Sequence, residues 1–376
     1  MRSTCSVCGA ELAAGRCPRG HVDPLDLLTV PSTTRAPPLT NDAPTVEHEL
    51  PAETRIAADP LLPDVVGGFR LDFVAGTGGM GTVYRAHDER LGTAVALKVM
   101  RLSAASDERA LTRSLREATA AARVQHPAIP PVLGHGLLPD GRPWMATPFL
   151  EGAPLDRLLA EAGRLEWALA VPVLAELSSA LAAAHAAGVV HRDVKPSNVF
   201  LARHSDGTVG VKLIDFGLAL LGDAAAGVPQ TSVQSAAGTA DFTAPEQALG
   251  QAVGAWTDLY ALGITAFQLL TGRLPFRDTH TTAILRRQVF EEPPPLGEEV
   301  DVPRALASLV GRLLAKQPQE RPRAASEVRA ALEELPAPAA GDQGLLGDLA
   351  RQWSKTHPPR SLIAQLRSWW TRSKMR

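Results

Sequence analysis

Strand-like runs precede helical patterns in the central part of the chain, and this order is the strongest constraint on its fold. The strand-like runs are separated by turns and cover Phe69–Val74, Gly81–Ala86 and Thr93–Met100. Helical periodicity follows over Asp107–Arg123, Leu155–Ala162, Leu165–Ala187, Trp256–Leu270, Arg304–Ala315 and Ala325–Glu334. Strands first and helices second predict an α+β fold with two lobes, of which the first is β-rich and the second helical.

The composition predicts one large folded domain with flanking segments. Apolar residues make up 45% of the 376 residues, which is enough for a sizeable core, and the formal net charge of −2 excludes a global attraction to nucleic acid or to an anionic membrane. We predict four parts: a cysteine-containing segment over residues 1–23, a linker rich in proline and threonine over 24–63, the folded domain over 64–335, and a basic tail over 336–376.

The apolar stretches of the sequence are short. The longest uncharged ones, such as Leu177–Val190, run 14 residues, whereas a membrane span needs about 20. The N-terminus carries no basic segment followed by an apolar run, so the sequence predicts no signal peptide. We therefore expect a cytoplasmic protein.

A glycine-rich turn, Gly76-Thr-Gly-Gly-Met-Gly-Thr-Val83, lies between the first two predicted strands. Glycines let a backbone approach phosphate oxygens without obstruction by side chains, and they tolerate positive φ. Ordinary hairpins also use glycine-rich turns, so this feature alone leaves both interpretations open. The loop leads into a strand where a Rossmann dinucleotide site would have a helix, which argues against that kind of site.

Lys98 lies in an apolar strand, 17 residues beyond Gly81. A lysine in such a strand loses hydration energy unless it meets an anion. We expect Lys98 to face nucleotide phosphates and to pair with Glu117 in the helical segment that follows; Glu108 is a poorer candidate because it lies near the start of that segment. A solvated lysine on an edge strand is the alternative.

The run His191-Arg-Asp-Val-Lys-Pro-Ser-Asn198 is the most specific stretch of the chain. It places an imidazole, three charges and an amide directly after apolar residues, which is unfavourable unless the charges are used. Phosphoryl transfer uses such a set. Asp193 would orient the acceptor hydroxyl and take its proton, Lys195 would offset charge on the transferred phosphoryl group, and Asn198 would bind magnesium.

A second magnesium ligand follows at the end of a predicted strand, where Asp215 begins the sequence Asp-Phe-Gly217. Magnesium prefers oxygen ligands and keeps several waters. With these motifs in order, the chain resembles a protein kinase, specifically the bacterial serine/threonine kinases that are similar to eukaryotic ones, over roughly 270 residues. The segment Gly238–Glu246 fits the same family, in which it closes the activation segment and forms the platform for the peptide substrate.

The resemblance implies a serine/threonine protein kinase that acts in signalling, with ATP and Mg²⁺ as cofactors and proteins as substrates. It also implies three supporting contacts. Glu246 would pair with Arg321, Asp258 would hold the backbone of the catalytic loop from a buried helix, and Thr239 would contact Asp193 and Lys195. A kinase fold used as a non-catalytic scaffold and a phosphotransferase for small molecules are the alternatives; the complete motif set opposes the first, and the platform and the long activation segment oppose the second.

The resemblance also places the nucleotide. The adenine would meet the backbone between the lobes, at the C=O of Pro148 and at the N–H and C=O of Leu150, with Thr147 as the gatekeeper. The residues expected to contact ATP are Gly76, Thr77, Gly78, Gly79, Met80, Gly81, Val83, Ala96, Lys98, Thr147, Pro148 and Leu150.

Hydroxyl residues of the activation segment are candidates for autophosphorylation. Thr231, Ser232 and Ser235 precede Thr239, and kinases that carry an arginine at the position of Arg192 commonly pair it with a phosphate in this segment. The sequence does not choose among the three, and they are equally compatible with ordinary polar residues of a loop.

All three cysteines lie in the first 17 residues, and their spacing predicts a small zinc site. Cys5 and Cys8 form a Cys-x-x-Cys pair, and Cys17 and His21 form a Cys-x-x-x-His pair. Three thiolates and one imidazole make a closed tetrahedral Zn²⁺ site that resembles a small zinc ribbon, although the second pair departs from the commoner Cys-x-x-Cys. The alternative is an N-terminus with reduced cysteines. The few arginines nearby do not support specific binding of nucleic acid.

The basic tail contains an amphipathic pattern. From Ala350 to Arg376 there are seven arginines and lysines and no acidic residue. Ser361 would cap a helix whose apolar face carries Leu362, Ile363, Leu366, Trp369 and Trp370. Such a pattern is typical of peripheral membrane attachment or of docking to a partner, and equally of a helix packed on the kinase domain.

Overall fold

The structure is a computed structural model that describes residues 62–78, 81–101, 123–203, 209–216 and 240–336. Its N-terminal lobe is a six-stranded antiparallel sheet with the order β1-β2-β3-β4-β6-β5. The strands are β1 (Val65–Val66), β2 (Phe69–Thr77), β3 (Gly81–Asp88), β4 (Thr93–Met100), β5 (Gly134–Leu137) and β6 (Pro143–Pro148). The three predicted strands are present, and β2 and β3 extend beyond their predicted ends.

One face of this sheet forms a compact apolar core. Tyr84, Leu97 and Trp144 are buried there, and every second residue of β4 is buried because side chains alternate between the faces of a strand. Gly67, in the turn between β1 and β2, has a φ of 60°, and a Cβ at this position would lie 2.2 Å from the Trp144 ring. The turn therefore requires glycine for its backbone conformation and for space.

A second, three-stranded antiparallel sheet is built from strands on both sides of the first two long helices in the chain order. It consists of β7 (Gly152–Pro154), β8 (Val199–Arg203) and β9 (Val209–Leu213). The catalytic candidates of the sequence come directly before β8 and directly after β9. This sheet therefore brings two distant segments of the chain to one place.

The C-terminal lobe is helical, as predicted. Its helices are α1 (Leu155–Ala162), α2 (Trp167–Ala186), α3 (Pro245–Ala248), α4 (Ala255–Thr271), α5 (Thr281–Phe290), α6 (Leu296–Glu299), α7 (Arg304–Leu313) and α8 (Ala325–Glu333), with short 3-10 turns at Pro196–Asn198, Ala240–Phe242 and Pro318–Glu320. Helix α4 is almost wholly buried and packs against α2 and α7, while α2 also packs against α8. The predicted helix over Asp107–Arg123 lies almost entirely outside the described residues.

Among the described residues, one helix is long and apolar enough to cross a membrane by length and composition alone. It is α2, with 20 residues, and 56% of its most apolar window is buried within the lobe. The uncharged stretch within it is shorter, because α2 includes Glu176. Its burial against α4 and α8 is that of a core helix.

Candidate active site

The loop between α2 and β8 holds Asp193 from two sides. Asn198 Nδ2 donates hydrogen bonds to Asp193 O at 2.7 Å and to Asp193 Oδ2 at 2.9 Å. Lys195 Nζ lies 2.8 Å from the same Oδ2. Asp193 is only 8% exposed, and its other carboxylate oxygen, Oδ1, is buried without a hydrogen-bond partner in the described part of the chain. The loop therefore fixes one oxygen and leaves the other without a partner among the described residues.

Asp258 in α4 anchors the loop between α2 and β8 through hydrogen bonds to its backbone. Its carboxylate is fully buried and accepts hydrogen bonds from the backbone N–H of His191 at 2.8 Å and of Arg192 at 2.7 Å. Arg192 has a φ of 67°, a conformation that is unfavourable for a side chain of this kind and that the two bonds help to hold. The role that the resemblance implied for Asp258 matches this geometry.

Sequence reasoning missed a third partner of Asp258. His185 Nε2 lies 2.7 Å from Asp258 Oδ2, near the end of α2. The only signal in the sequence was a histidine near the end of an apolar helix, six residues before His191. A buried carboxylate needs several donors, and this histidine supplies one of them.

Asp215 faces Lys98 across the gap between the two sheets. Lys98 Nζ lies 2.9 Å from Asp215 Oδ2. Burial alone would raise the pKa of the Asp215 carboxyl, but the charge and hydrogen bond of Lys98, together with the nearby charge of Lys195, hold the pKa below its ordinary value. Asp215 therefore stays ionised. Glu117, the partner expected for Lys98, lies outside the described residues.

Backbone and ring contacts tie Asp215 to the catalytic loop. The N–H of Ile214 donates to Asn198 O at 2.8 Å, and His191 Nε2 lies 2.9 Å from Ile214 O. The rings of His191 and Phe216 meet edge to face at 4.6 Å. Asp215 itself has a φ of 67°. These contacts fix the carboxylate relative to Asn198.

The donor set fits a magnesium ion at Asn198 and Asp215. Because Asn198 Nδ2 is used twice within the loop, the side-chain carbonyl oxygen of Asn198 is the atom left for a cation. Asp215 supplies a carboxylate that stays ionised. An amide oxygen and a carboxylate are the kind of incomplete oxygen set that Mg²⁺ accepts when substrate phosphates and water supply the rest. The described residues contain no cluster of three or more His, Cys, Asp or Glu side chains that would form a complete metal site of their own.

The glycine-rich turn joins β2 and β3 as predicted. Gly78 N donates to Gly81 O at 2.7 Å, and Thr77 pairs with Thr82. A Cβ on Gly81 would lie 2.2 Å from Val99 O, so this glycine is required by the neighbouring strand. Gly79 and Met80 lie outside the described residues.

The strands beneath this turn carry the other residues expected to contact the nucleotide. Val83 pairs with Lys98 between β3 and β4, and Ala96 pairs with Thr147 between β4 and β6. All four residues are intermediate in burial. The structure therefore brings Val83, Ala96, Lys98 and Thr147 to adjacent positions of one sheet.

The connection between the lobes follows β6. Pro148 ends the strand opposite Val95, and Phe149 N donates to Ala94 O at 3.1 Å. Within the described residues, the N–H and C=O of Leu150 make no hydrogen bond, so both are available to a ligand, as expected for the edge that meets adenine. A cavity of about 440 Å³ shares Pro148 and Leu150 but none of the glycine turn, and we do not assign the nucleotide to it.

Glu246 and Arg321 form a buried bidentate ion pair. Arg321 Nη1 and Nη2 donate to Glu246 Oε1 and Oε2 at 2.8 and 2.9 Å. Thr257 Oγ1 donates to Glu246 Oε1 at 2.9 Å. The pair that the resemblance implied is thus present, and it fastens α3 to the C-terminal part of the helical lobe.

Several predicted residues lie outside the described part of the chain and stay predictions. They are Gly79, Met80, Glu117, Thr231, Ser232, Ser235, Thr239, Cys5, Cys8, Cys17 and His21, together with nearly all of the predicted linker and of the basic tail.

Comparison with known proteins agrees with this geometry. The family described as protein kinase domain matches residues 70–331. The serine/threonine-protein kinase Pkn1 of Myxococcus xanthus is 40% identical over 278 residues, which is 74% of this chain and 39% of Pkn1. PknA of Mycobacterium tuberculosis is 37% identical over 259 residues, which is 68% of this chain and 58% of PknA. This chain therefore spans about half the length of these curated relatives.

A solved structure has the same fold. The crystal structure of the Mycobacterium tuberculosis PknI kinase domain superposes with a TM-score of 0.58 at 28% identity, covering 72% of this chain and 97% of that one. Fold, motif order and relatives agree, and the chain belongs to the protein kinase family, among the eukaryotic-like serine/threonine kinases of bacteria.

Proposed function

We propose that this chain is an ATP-dependent protein kinase that transfers the γ-phosphoryl group to serine and threonine hydroxyls of proteins. The observation that carries the proposal is the state of Asp193. One carboxylate oxygen is held by Lys195 and Asn198, and the other is buried and unpaired among the described residues. A carboxylate oriented in this way can accept the proton of a hydroxyl that binds next to its free oxygen.

The side chains around Asp193 have separate tasks in this reaction. Asp193 orients the acceptor hydroxyl and takes its proton as the oxygen attacks the phosphoryl group. Lys195, 2.8 Å from Asp193, offsets negative charge near the transferred group. Lys98 holds nucleotide phosphates from β4. Asn198 and Asp215 would hold magnesium, which when bound neutralises charge on the phosphate oxygens.

The platform for the protein substrate lies beside this loop. The segment from Ala240 to Ala248 follows the activation segment, and Gln247 connects it to the catalytic loop: Gln247 Nε2 donates to Arg192 O at 3.3 Å, and Gln247 Oε1 accepts from Ala244 N at 3.0 Å. A peptide lying on this segment would reach Asp193.

Three further proposals rest on the sequence. Autophosphorylation at Thr231, Ser232 or Ser235 is supported by the arginine that precedes Asp193. A structural zinc ion bound by the N-terminal cysteines and His21 is supported by their spacing. A cytoplasmic protein attached peripherally to membranes through its tail is supported by the basic and apolar pattern after Ala350.

One assay tests the proposed activity directly. The purified full chain is incubated with magnesium and labelled ATP, alone and with a degenerate library of serine- and threonine-containing peptides. We expect label on the chain and on peptides, and mass spectrometry should place it on serine or threonine. ATP binding without transfer of label to any acceptor would contradict the proposal and favour a non-catalytic scaffold.

A further inference from the structure

A buried polar network connects three elements behind the substrate platform. Tyr260 in α4 and Gln288 in α5 are both fully buried, and Tyr260 donates its hydroxyl hydrogen to Gln288 Oε1 at 2.7 Å. Gln288 Nε2 donates in turn to the backbone oxygen of Asp241 at 2.7 Å. Asp241 lies in the turn Ala240–Phe242, at the described end of the activation segment. The network therefore runs from the core helix to the platform.

Lys316 completes the network from the other side. Its Nζ donates to Gln288 O at 2.9 Å and to the Tyr260 hydroxyl oxygen at 3.2 Å. The Gln288 carbonyl lies in the last turn of α5, where carbonyls lack partners within the helix. Lys316 Nζ also lies 4.2 Å from the centre of the Phe276 ring, which adds a cation–π contact. These bonds fix the end of α5 against α4.

The same tyrosine touches the buried ion pair of the platform. The Arg321 guanidinium lies 4.8 Å from the centre of the Tyr260 ring while it binds Glu246. Burial raises the pKa of the Tyr260 hydroxyl, so this group remains a donor throughout the neutral range. Tyr260 thus contacts both anchors of the platform: the ion pair that holds α3, and Gln288, which holds the turn before it.

Nothing in phosphoryl transfer itself requires these groups, because none of their hydrogen bonds within the described residues reaches Asp193 or Asp215. Yet a buried amide and a buried hydroxyl are retained among apolar side chains, where an unsatisfied partner would be unfavourable. Their bonds all end on the turn or on the elements that support it. Since Gln247 links this segment to the loop of Asp193, a shift of the turn would move the peptide relative to Asp193.

We propose that Tyr260 and Gln288 are positioning residues that hold the turn Ala240–Phe242 in place and thereby set the affinity for the peptide substrate. The inference rests on the proposed kinase activity and deepens it. It implies that peptide binding and nucleotide binding depend on different parts of the helical lobe. Loss of the network should weaken binding of the peptide and leave the affinity for ATP unchanged.

The test uses the full chain and the best peptide that the wild type selects from the degenerate serine/threonine library. Tyr260→Phe removes one oxygen atom and keeps the ring on Arg321, so the variant is expected to fold. Gln288→Leu removes the amide and keeps most of the volume. We expect the peptide KM to rise about three- to tenfold in each variant, with a smaller change in kcat and an unchanged KM for ATP.

A double variant and a matched control separate positioning from general destabilisation. Because both residues act through one network, Tyr260→Phe combined with Gln288→Leu should raise the peptide KM little more than the stronger single change. Thr265→Val removes another buried hydroxyl of α4, whose one hydrogen bond within the described residues goes to Ala261 O of its own helix. This variant should leave the peptide KM unchanged. All assays are run well below the melting temperature of each variant.

The outcomes separate the positioning role from the kinase activity itself. An active wild type whose peptide KM is unchanged in Tyr260→Phe and Gln288→Leu would overturn the positioning role alone. Equal effects on the KM for peptide and for ATP, or an equal effect of Thr265→Val, would also overturn it. A wild type that phosphorylates no peptide would overturn the proposed activity and this inference with it.

Discussion

Lys98 in strand β4 and Asp215, two residues beyond the end of β9, form an ion pair in which Nζ lies 2.9 Å from Oδ2. Both side chains are mostly buried, with 11% and 27% of their surface exposed. The Lys98 ammonium therefore helps to hold the pKa of the Asp215 carboxyl below its ordinary value. Asp193 belongs to a different set of contacts, with Lys195 and Asn198, and the two sets divide the site into a nucleotide part and an acceptor part.

The division predicts different defects for Asp193→Asn and Lys98→Met. Asp193→Asn should lower phosphorylation of chain and peptide by about 10²–10⁴ while ATP affinity is maintained, because Asp193 serves the acceptor hydroxyl. Lys98→Met should be inactive and should also weaken ATP binding. Label transfer and the binding of a fluorescent ATP analogue are measured in parallel. Asp301→Asn, in an exposed loop, serves as the control. Undiminished label transfer by Asp193→Asn would refute its assignment as the proton acceptor.

The buried pair of Glu246 and Arg321 should matter far more for stability than an exposed pair. Arg321→Met leaves the Glu246 carboxylate buried without its main partner, and we expect a loss of about 3–5 kcal/mol in the free energy of unfolding. Arg312 also pairs with a glutamate, Glu327, but both side chains are nearly half exposed. Arg312→Met should therefore change the free energy of unfolding by less than about 1 kcal/mol. Urea titrations of both variants check the contrast, and similar losses in the two would contradict it.

The stability of the chain should depend on the charge of Asp156. Burial raises the pKa of this carboxyl to about 6, and hydrogen bonds from the backbone N–H of Arg157 and of Asp156 itself offset only part of the effect. Because the folded pKa lies above the ordinary 3.8, the folded state binds the proton more tightly, and the ionised carboxylate destabilises the fold as pH rises toward and beyond 6. Asp156→Asn should therefore stabilise the protein, by up to about 3 kcal/mol at pH 8.

The decisive measurement is how the stabilisation by Asp156→Asn, in free energy of unfolding, depends on pH. At pH 4.5 the gain should shrink to about 1 kcal/mol, because the folded carboxyl is then protonated in the wild type. The pKa of Asp278 is shifted in the opposite direction, because a hydrogen bond from the backbone N–H of His280 lowers the pKa of its carboxyl. Asp278→Asn should give no gain at either pH. A gain from Asp156→Asn that does not change between pH 4.5 and pH 8 would rule out ionisation as its cause.

Local patterns were sufficient to predict most of the secondary structure. Apolar periodicity located β4 and α1 at their observed limits, because each element buries one face. Periodicity predicts that α2 starts at Leu165, yet the helix begins at Trp167, since Glu166 is extended with a ψ of 145°. Helix ends depend on backbone angles that periodicity does not report.

Contacts between distant residues were harder to predict. The pairing of Lys98 with Asp215, and the bonds of His185 to Asp258 and of Tyr260 to Gln288, join residues from 28 to more than 100 positions apart. The order of motifs in the sequence predicts such a contact only where the same contact is known in the family that the chain resembles, as for Glu246 and Arg321. His185 and Tyr260 lie in ordinary helical patterns, and Gln288 lies in α5, a helix that the sequence patterns do not predict. Only the folded chain shows that their polar atoms meet other side chains.

The N-terminal cysteines give a prediction that is independent of the kinase fold. Purified protein should contain one equivalent of zinc per chain, because Cys5, Cys8, Cys17 and His21 offer a closed tetrahedral set. Replacing Cys5 and Cys8 with serine should release the metal and leave peptide phosphorylation unchanged, since the predicted linker over residues 24–63 would separate these cysteines from the kinase domain. Elemental analysis of the two proteins decides the question. Native protein without zinc would show that the site does not exist.

The tail gives the last prediction, which separates membrane attachment from packing on the kinase domain. An interfacial helix over 361–376 would bury its apolar face, and each lysine or arginine would add about 1 kcal/mol near an anionic surface. No acidic residue follows Asp348 to reduce this attraction. Binding to anionic vesicles should therefore weaken with added salt, and replacing Trp369 and Trp370 with alanine should weaken it without changing ATP affinity.

The control for this experiment is deletion of residues 361–376. If the tail attaches to membranes, the chain that lacks residues 361–376 should no longer bind vesicles. Its melting temperature should stay the same, because the tail would then make no contact that stabilises the kinase domain. If the helix packs on the kinase domain instead, the full chain should not sediment with vesicles at either of two salt concentrations, and the deletion should lower the melting temperature. Tryptophan fluorescence gives a further readout, since Trp369 and Trp370 should shift to the blue when vesicles are added only in the first case.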